Sequence, residues 1–273
     1  MNNEENSEIE KKLKVLEDVH RATRKNFKDM VQLLIAVVSL SDKFLGGHLK
    51  RVAELAREFG LESGYSDDIR EMLYYSALLH DIGMVGMPER IITGNPESFN
   101  YDDKIIYAKH PLIGEKIISS AYSLKRISEV IRSHHEHFDG TGFPDEIKGE
   151  KIPFGARVVC ILSDYDSCLF KKGLSLQQTK ETLLENSSLK YDPAMLETFS
   201  TLIDKKLSNL AKESHIIPIK SLQPGMFLKT DIVLKNGLLL LPKGVLVNSG
   251  MLKRLASFYG FIDDRVKRVE VVY

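Results

Sequence analysis

The sequence contains no tryptophan and, in 273 residues, only two cysteines, Cys160 and Cys168. The first absence excludes nothing. The second leaves no material for a disulfide framework and fits a reducing cytoplasm. Net charge is missing as well: 38 Lys/Arg balance 38 Asp/Glu, so no global field draws a nucleic-acid polymer or a membrane surface. No apolar run reaches the roughly 18 residues of a membrane span; the longest, residues 31–40, is interrupted by Gln32 and Ser39. The first residues, Met-Asn-Asn-Glu-Glu-Asn, are acidic and lack the basic and apolar regions of a signal peptide. Internal repeats and low-complexity segments are also lacking. What remains, at 43% hydrophobic and 28% charged residues, is the composition of a globular, cytoplasmic protein.

The organisation is mainly α. Residues 7–40 hold no Gly or Pro, and Ile9, Leu13, Leu16, Phe27, Met30, Leu34 and Val37 recur in alternating steps of three and four. His20 and Thr23 fill the same stripe as polar breaks. This pattern predicts a helix that packs on its own domain, pairs two chains or transmits a signal. Helical patterning dominates from residue 67 to about 207, punctuated by Gly/Pro turns. Beyond Ser214 the short runs 216–218, 226–234 and 238–241 are β-prone, and Lys235-Asn236-Gly237 supplies a hairpin turn. A short helix over 251–259 and a strand over 266–272 complete this part. Residues 216–273 carry nine Lys/Arg against four Asp/Glu, a surplus expected of a solvated surface. Three segments result: a linker or dimerisation helix over 1–34, a helical domain over 35–207 and a small β-rich module over 216–273.

The chemistry is written in histidine. Five of the eight, His80, His110, His134, His135 and His137, fall between residues 80 and 137, and His48 lies upstream. His80-Asp81 follows the apolar run 72–79, so an imidazole and a carboxylate project side by side from the end of a buried helix. Imidazole with carboxylate and without cysteine suits iron, manganese or zinc. The adjacent His134 and His135 can reach two metals a few ångström apart. Such a pair of ions clamps the attacking and leaving oxygens of a phosphoryl displacement. The Gly140-Thr141-Gly142-Phe143-Pro144 turn brings backbone close to a ligand.

Leu79-His80-Asp81-Ile82-Gly83, His110-Pro111, His134-His135-Glu136 and the run from Asp139 to Pro144 appear in that order. Ile152-Pro153, Ala156-Arg157, Tyr165-Asp166 and Asp192-Pro193 continue the series. Over roughly residues 35–205 this ordered set resembles the HD-GYP group of the HD-domain phosphohydrolases. The resemblance implies an HD-domain helical bundle that hydrolyses cyclic di-GMP to linear dinucleotide or GMP, using a hydroxide shared by two metal ions. It implies two divalent ions, iron in the first place and manganese as the alternative. The ligands it implies are His48, His80, Asp81, His110, His134 and His135, with Asp81 bridging the ions as the catalytic carboxylate. Some relatives hold a third ion through a glutamate four residues before the first histidine; Phe44 stands there, so two ions are expected. Gly142, Lys171 and Lys172 are the expected substrate contacts. The Leu222-Gln223-Pro224-Gly225-Met226 region looks like a small β module often attached to such proteins.

This chain departs from the family pattern at three places. Met84 replaces a lysine after the His-Asp-x-Gly motif, and Phe143 replaces the signature tyrosine. The third is a register shift: a metal-binding aspartate is expected six residues after Arg157, where Ser163 stands, and Asp164 follows one step later. One step rotates a helical side chain by about 100°; the expectation is that an adjusted helix start brings Asp164 in as the ligand. The departures suggest slow turnover. They also motivate two alternatives: a degenerate member that acts as a cyclic di-GMP-binding or signalling protein without significant hydrolysis, and a phosphohydrolase for a different nucleotide; a signalling protein is a further expected partner.

Overall fold

The structure is a computed structural model and describes residues 3–212 and 214–272. Its contacts divide the chain into two units, residues 1–47 and 48–273. In the first, α1 (Asn3–Ser41) runs unbroken for 39 residues, as a segment free of Gly and Pro allows. Asp42 interrupts the helical path. Its Oδ1 accepts the backbone N–H groups of Phe44 at 2.8 Å and Leu45 at 2.9 Å, capping α2 (Lys43–Glu62). The apolar residues of α1 sort into two sets. Val31, Ile35 and Val38 are buried, whereas Leu13, Leu16, Met30, Leu34 and Val37, the stripe read from the sequence, are exposed. Ile9 continues that stripe, but its side chain lies outside the described residues.

The second unit continues α2 into α3 (Asp67–Leu79), α4 (Glu89–Thr93), α5 (Tyr101–Tyr107), α6 (His110–Ile118) and α7 (Lys125–Ser133). α8 (Phe154–Phe170), α9 (Leu176–Glu185) and α10 (Pro193–Lys212) follow. α8 is the axis. Twelve of its 17 residues are buried, and α3, α7, α9 and α10 pack against it, the place for a helix apolar on every side. Phe59, Leu73, Leu79, Ile131 and Phe199 fill the surrounding core, each at most 1% exposed. Arg157 Nη1 donates to Asp192 Oδ2 at 2.5 Å, and the other oxygen of Asp192 accepts the Ala194 N–H. This carboxylate therefore ties α8 to the start of α10.

After His215 the chain forms strands β1 (His215–Pro218), β2 (Phe227–Leu228), β3 (Ile232–Val233), β4 (Leu239–Leu241) and β5 (Arg268–Val272), with α11 (Ser249–Phe258) before the last. β5 lies antiparallel between β1 and β2, and β3 pairs with β4. The single β-prone run over 226–234 is thus split between two sheets. Gly237, at φ 83°, makes the β3–β4 turn. Leu228, Ile232, Val245 and Val271, all fully buried, lie in a core belonging to this region alone. The region meets the helices where the Leu176 N–H donates to Gly244 O at 3.0 Å. Among the described residues no helix is long and apolar enough to cross a membrane.

The packing brings helix ends together. α3 ends at His80, a 3-10 turn over Ile82–Met84 leads away, and this turn presses on the start of α6, which carries His110. Gly83 makes the approach possible, because a Cβ there would run into the carbonyl oxygen of His110. Gly83→Ala should therefore lower the urea midpoint by the equivalent of about 1–3 kcal/mol and weaken metal uptake together. An unchanged midpoint would show that the turn has room to spare.

Candidate metal centre and its pocket

Each histidine of the centre is fixed by the element that carries it. His80 and His134 cap the C-terminal ends of α3 and α7, and His110 opens α6. Their Nδ1 atoms lie 2.7, 2.6 and 2.6 Å from the carbonyl oxygens of Ala77, Ile131 and Tyr107, each three residues earlier. A carbonyl oxygen only accepts, so each Nδ1 carries the proton and each Nε2 is a bare acceptor. His48, on α2, is set the same way by a carboxylate: its Nδ1 donates to Asp166 Oδ2 at 2.7 Å. Arg51 clamps Asp166 from Nε at 2.6 Å and Nη2 at 2.8 Å and lies 3.7 Å above the Phe170 ring.

The four Nε2 atoms converge on Asp81 in two pairs. His48 and His80 meet at 3.2 Å, as do His110 and His134. Asp81 Oδ2 is 3.7 Å and 3.5 Å from the first pair. Asp81 Oδ1 is 3.1 Å and 3.5 Å from the second, yet it is buried without a hydrogen bond. Lone pairs facing lone pairs at these distances repel unless a cation lies between them. The residues fit divalent ions on this ground. They form two candidate ligand groups that share Asp81: Asp81 with His110, His134 and His135, and Asp81 with His48 and His80. Donors of nitrogen and oxygen without sulfur match iron, manganese or zinc.

The structure thus brings together His48, His80, Asp81, His110, His134 and His135. Asp164 is not in either group. Its Oδ2 is 2.6 Å from Lys190 Nζ and accepts the Tyr191 hydroxyl at 2.7 Å. Ser163 holds the place instead, with Oγ 3.3 Å from His48 Nε2. α8 keeps its regular phase, so the one-residue step turns the Asp164 carboxylate away, and the expected ligand role is corrected. Gly142 lies in the turn after the histidine pair. It is buried, and a Cβ there would strike the backbone of His135 and His137; its smallness lets the turn close on the histidine pair.

A cavity of about 160 Å³ opens beside the centre, with Met84, Tyr107, Phe143, Ser163 and Lys190 in its wall. Lys171 and Lys172 line it as well; Lys171 Nζ donates to Ile92 O at 3.1 Å and Lys172 Nζ to Glu97 Oε1 at 2.7 Å. Phe143 stacks on His135, with ring centres 4.8 Å apart. The sequence reading missed Tyr107, whose hydroxyl is 3.0 Å from His135 Nε2, and the roles of Arg51 and Asp166. A helical His48-x-x-Arg51 spacing was visible, but Asp166 lies 118 residues from His48, and nothing local pairs them.

Burial keeps His80, His134 and His135 neutral. It pushes His80 down to about 3, with His48 and His134 adding to the effect against the pull of Asp81. His134 and His135 shift the same way for the same first cause. Burial opposes ionisation of Asp81, but the surrounding histidines outweigh it and hold the carboxyl well below its usual range. An unfolded chain takes up histidine protons near pH 6.5 while the fold refuses them, so more protons bind to the unfolded state as pH falls. The metal-free protein should accordingly lose thermal stability from pH 7 to pH 5, and His80→Gln should flatten that slope. A midpoint that stays level across this range in the metal-free wild type contradicts the buried, neutral cluster.

Comparison with known proteins agrees with this geometry. The HD domain family profile matches residues 32–195. A cyclic di-GMP phosphodiesterase of Vibrio cholerae serotype O1 is 31% identical over 196 residues, covering 63% of this chain and 40% of the relative. A 3'3'-cGAMP-specific phosphodiesterase 2 from the same organism is 26% identical, over 64% of this chain and 34% of its own length. The chain therefore spans less than half the length of these relatives. Among solved structures, a HDG"Y"P protein from Bdellovibrio bacteriovorus has a similar fold, with TM-score 0.52 and 20% identity over 57% of this chain and 51% of that one. The family profile covers more than half the chain and spans every residue of the histidine-aspartate centre: the protein belongs to the HD-domain family.

Proposed function

We propose that the chain is a metal-dependent phosphodiesterase that hydrolyses cyclic di-GMP to linear dinucleotide or GMP. The observation that carries this reading is the convergence of four bare Nε2 acceptors on the two oxygens of Asp81. Two divalent ions, iron or else manganese, would supply the Lewis acidity that neutralises phosphate charge and activates water. The chain's part is to fix the donors, exclude bulk water and bind the phosphate. Tyr107 and Phe143 wall the approach to His135. The free, buried thiols of Cys160 and Cys168 suit work in a reducing cytoplasm.

The two ion positions are unequal. One candidate group would offer an ion four protein donors, while the other would offer three, with the weakly donating hydroxyl of Ser163 beside His48. Ser163→Asp should tighten uptake of the second ion by about tenfold, read as metal bound per chain at limiting metal. The function itself is tested anaerobically with iron- or manganese-loaded protein, following cyclic di-GMP by chromatography. Linear dinucleotide or GMP is the expected product, formed slowly because Met84 and Phe143 give the phosphate neither a charge nor a hydroxyl. Two bound ions with intact nucleotide would favour the second reading that these substitutions motivate, a receptor for cyclic di-GMP. Turnover of only another cyclic dinucleotide would move the substrate and keep the reaction.

We also propose that residues 7–40 pair with a second copy of the chain. The stripe from Leu13 to Val37 keeps a strict three-four spacing, and Leu16 and Met30 are 65% and 70% exposed. On this heptad phase Lys12 and Glu17 flank the seam at positions that face each other only between parallel, in-register helices. A single cysteine at Leu16 should then cross-link to its own copy, while buried Cys160 and Cys168 stay silent. A monomer in light scattering at micromolar concentration, or a dimer that Leu16→Cys does not link, contradicts the parallel pair.

A further inference from the structure

A phosphodiester entering the cavity gives up hydration, and the protein must replace it with positive charge or hydrogen-bond donors. The centre turns imidazole lone pairs and the Asp81 carboxylate toward one another, and neither is a donor to phosphate. Met84 and Phe143 bring no charge. The cations in the cavity wall, among the described residues, are Lys171, Lys172 and Lys190.

The three lysines are held differently. Lys171 is tied to a backbone carbonyl, and Lys172 to Glu97, whose side chain is 71% exposed. Lys190 is anchored inside. Its Nζ sits 2.6 Å from Asp164 Oδ2, and both side chains are less than a third exposed, at 29% and 25%. The Tyr191 hydroxyl donates to the same oxygen, fixing the carboxylate. The Lys190 backbone is pinned to the histidine loop, since the Phe138 N–H donates to its carbonyl at 3.1 Å. Lys190 shares the cavity wall with Tyr107, His135 and Ser163, so its ammonium stands beside the centre.

Resting on the phosphodiesterase reading, we propose that Lys190 is the cation that binds the substrate phosphate, with Asp164 as its positioning partner. Asp164 holds the ammonium in place and offsets its charge in the empty cavity. An arriving phosphate oxygen competes with the carboxylate for the Nζ protons. The same negative charge repels the phosphate, so Asp164 lowers affinity while keeping Lys190 aimed. The sign of that effect separates a substrate-binding arrangement from a structural salt bridge.

The test uses the full, metal-loaded chain and titrates two probes, a hydrolysis-resistant phosphorothioate of cyclic di-GMP and inorganic phosphate. Lys190→Met should weaken the phosphorothioate about ten- to hundredfold, the range for a charged hydrogen bond, and Lys190→Arg should restore most of it. Asp164→Asn keeps the shape and the Tyr191 contact but removes the charge, and should tighten both probes about threefold or more. Bound metal should stay constant in all three variants, as Asp164 is outside the ligand groups. If Asp164→Asn weakens binding as Lys190→Met does, the pair is a structural tie and the proposal is overturned. Binding of both probes unchanged in Lys190→Met overturns it as well. Wild-type protein that binds phosphate through Lys190 but ignores the phosphorothioate would condemn the nucleotide reading and leave the lysine standing.

Discussion

The centre depends on where four imidazole protons are spent. His80, His110 and His134 each give the Nδ1 proton to a carbonyl one helical turn back, and His48 gives its proton to Asp166. Every Nε2 is left with only a lone pair, and three helix ends together with α2 aim those lone pairs at the two oxygens of Asp81. The arrangement is electrostatically unsatisfied without a cation. That deficit is what the surrounding fold maintains: α8 as the buried axis, Gly83 admitting the α3 turn against α6, and the Arg51–Asp166 clamp behind His48. A carboxylate behind a ligating histidine fixes its tautomer and raises its donor strength.

Much of this was legible in the sequence because it is local. The apolar run before His80-Asp81 and the doubled His134-His135 announce their places at helix ends, and the mainly helical class with β-prone C-terminal segments follows from periodicity. Helical phase also decides the fate of Asp164. Counting from Arg157 puts Ser163, not Asp164, against His48, and the structure keeps that count. The expectation of an adjusted helix failed because α8 is packed on all sides and cannot rotate one residue without moving twelve buried residues.

Other features were out of reach for a physical reason: their partners are distant in sequence. Asp166 with His48, Tyr107 with His135 and Lys190 with Asp164 join elements whose relative placement only tertiary packing determines. Gly142 shows the converse. A glycine in a loop beside histidines suggested a ligand contact, and the structure adds what the sequence did not show, that the missing Cβ lets the loop approach the His135–His137 backbone. In α1 the periodic stripe was visible, but only burial shows that Val31, Ile35 and Val38 are the inward set and that the stripe is left exposed.

The most direct measurement is an anomalous difference map from crystals of the manganese-loaded protein. The account places one peak against Asp81 Oδ1, His110 and His134, and a weaker one against Asp81 Oδ2, His48 and His80, with none at Asp164. Peaks absent from the Asp81 oxygens, or a peak bound by Asp164, would contradict it.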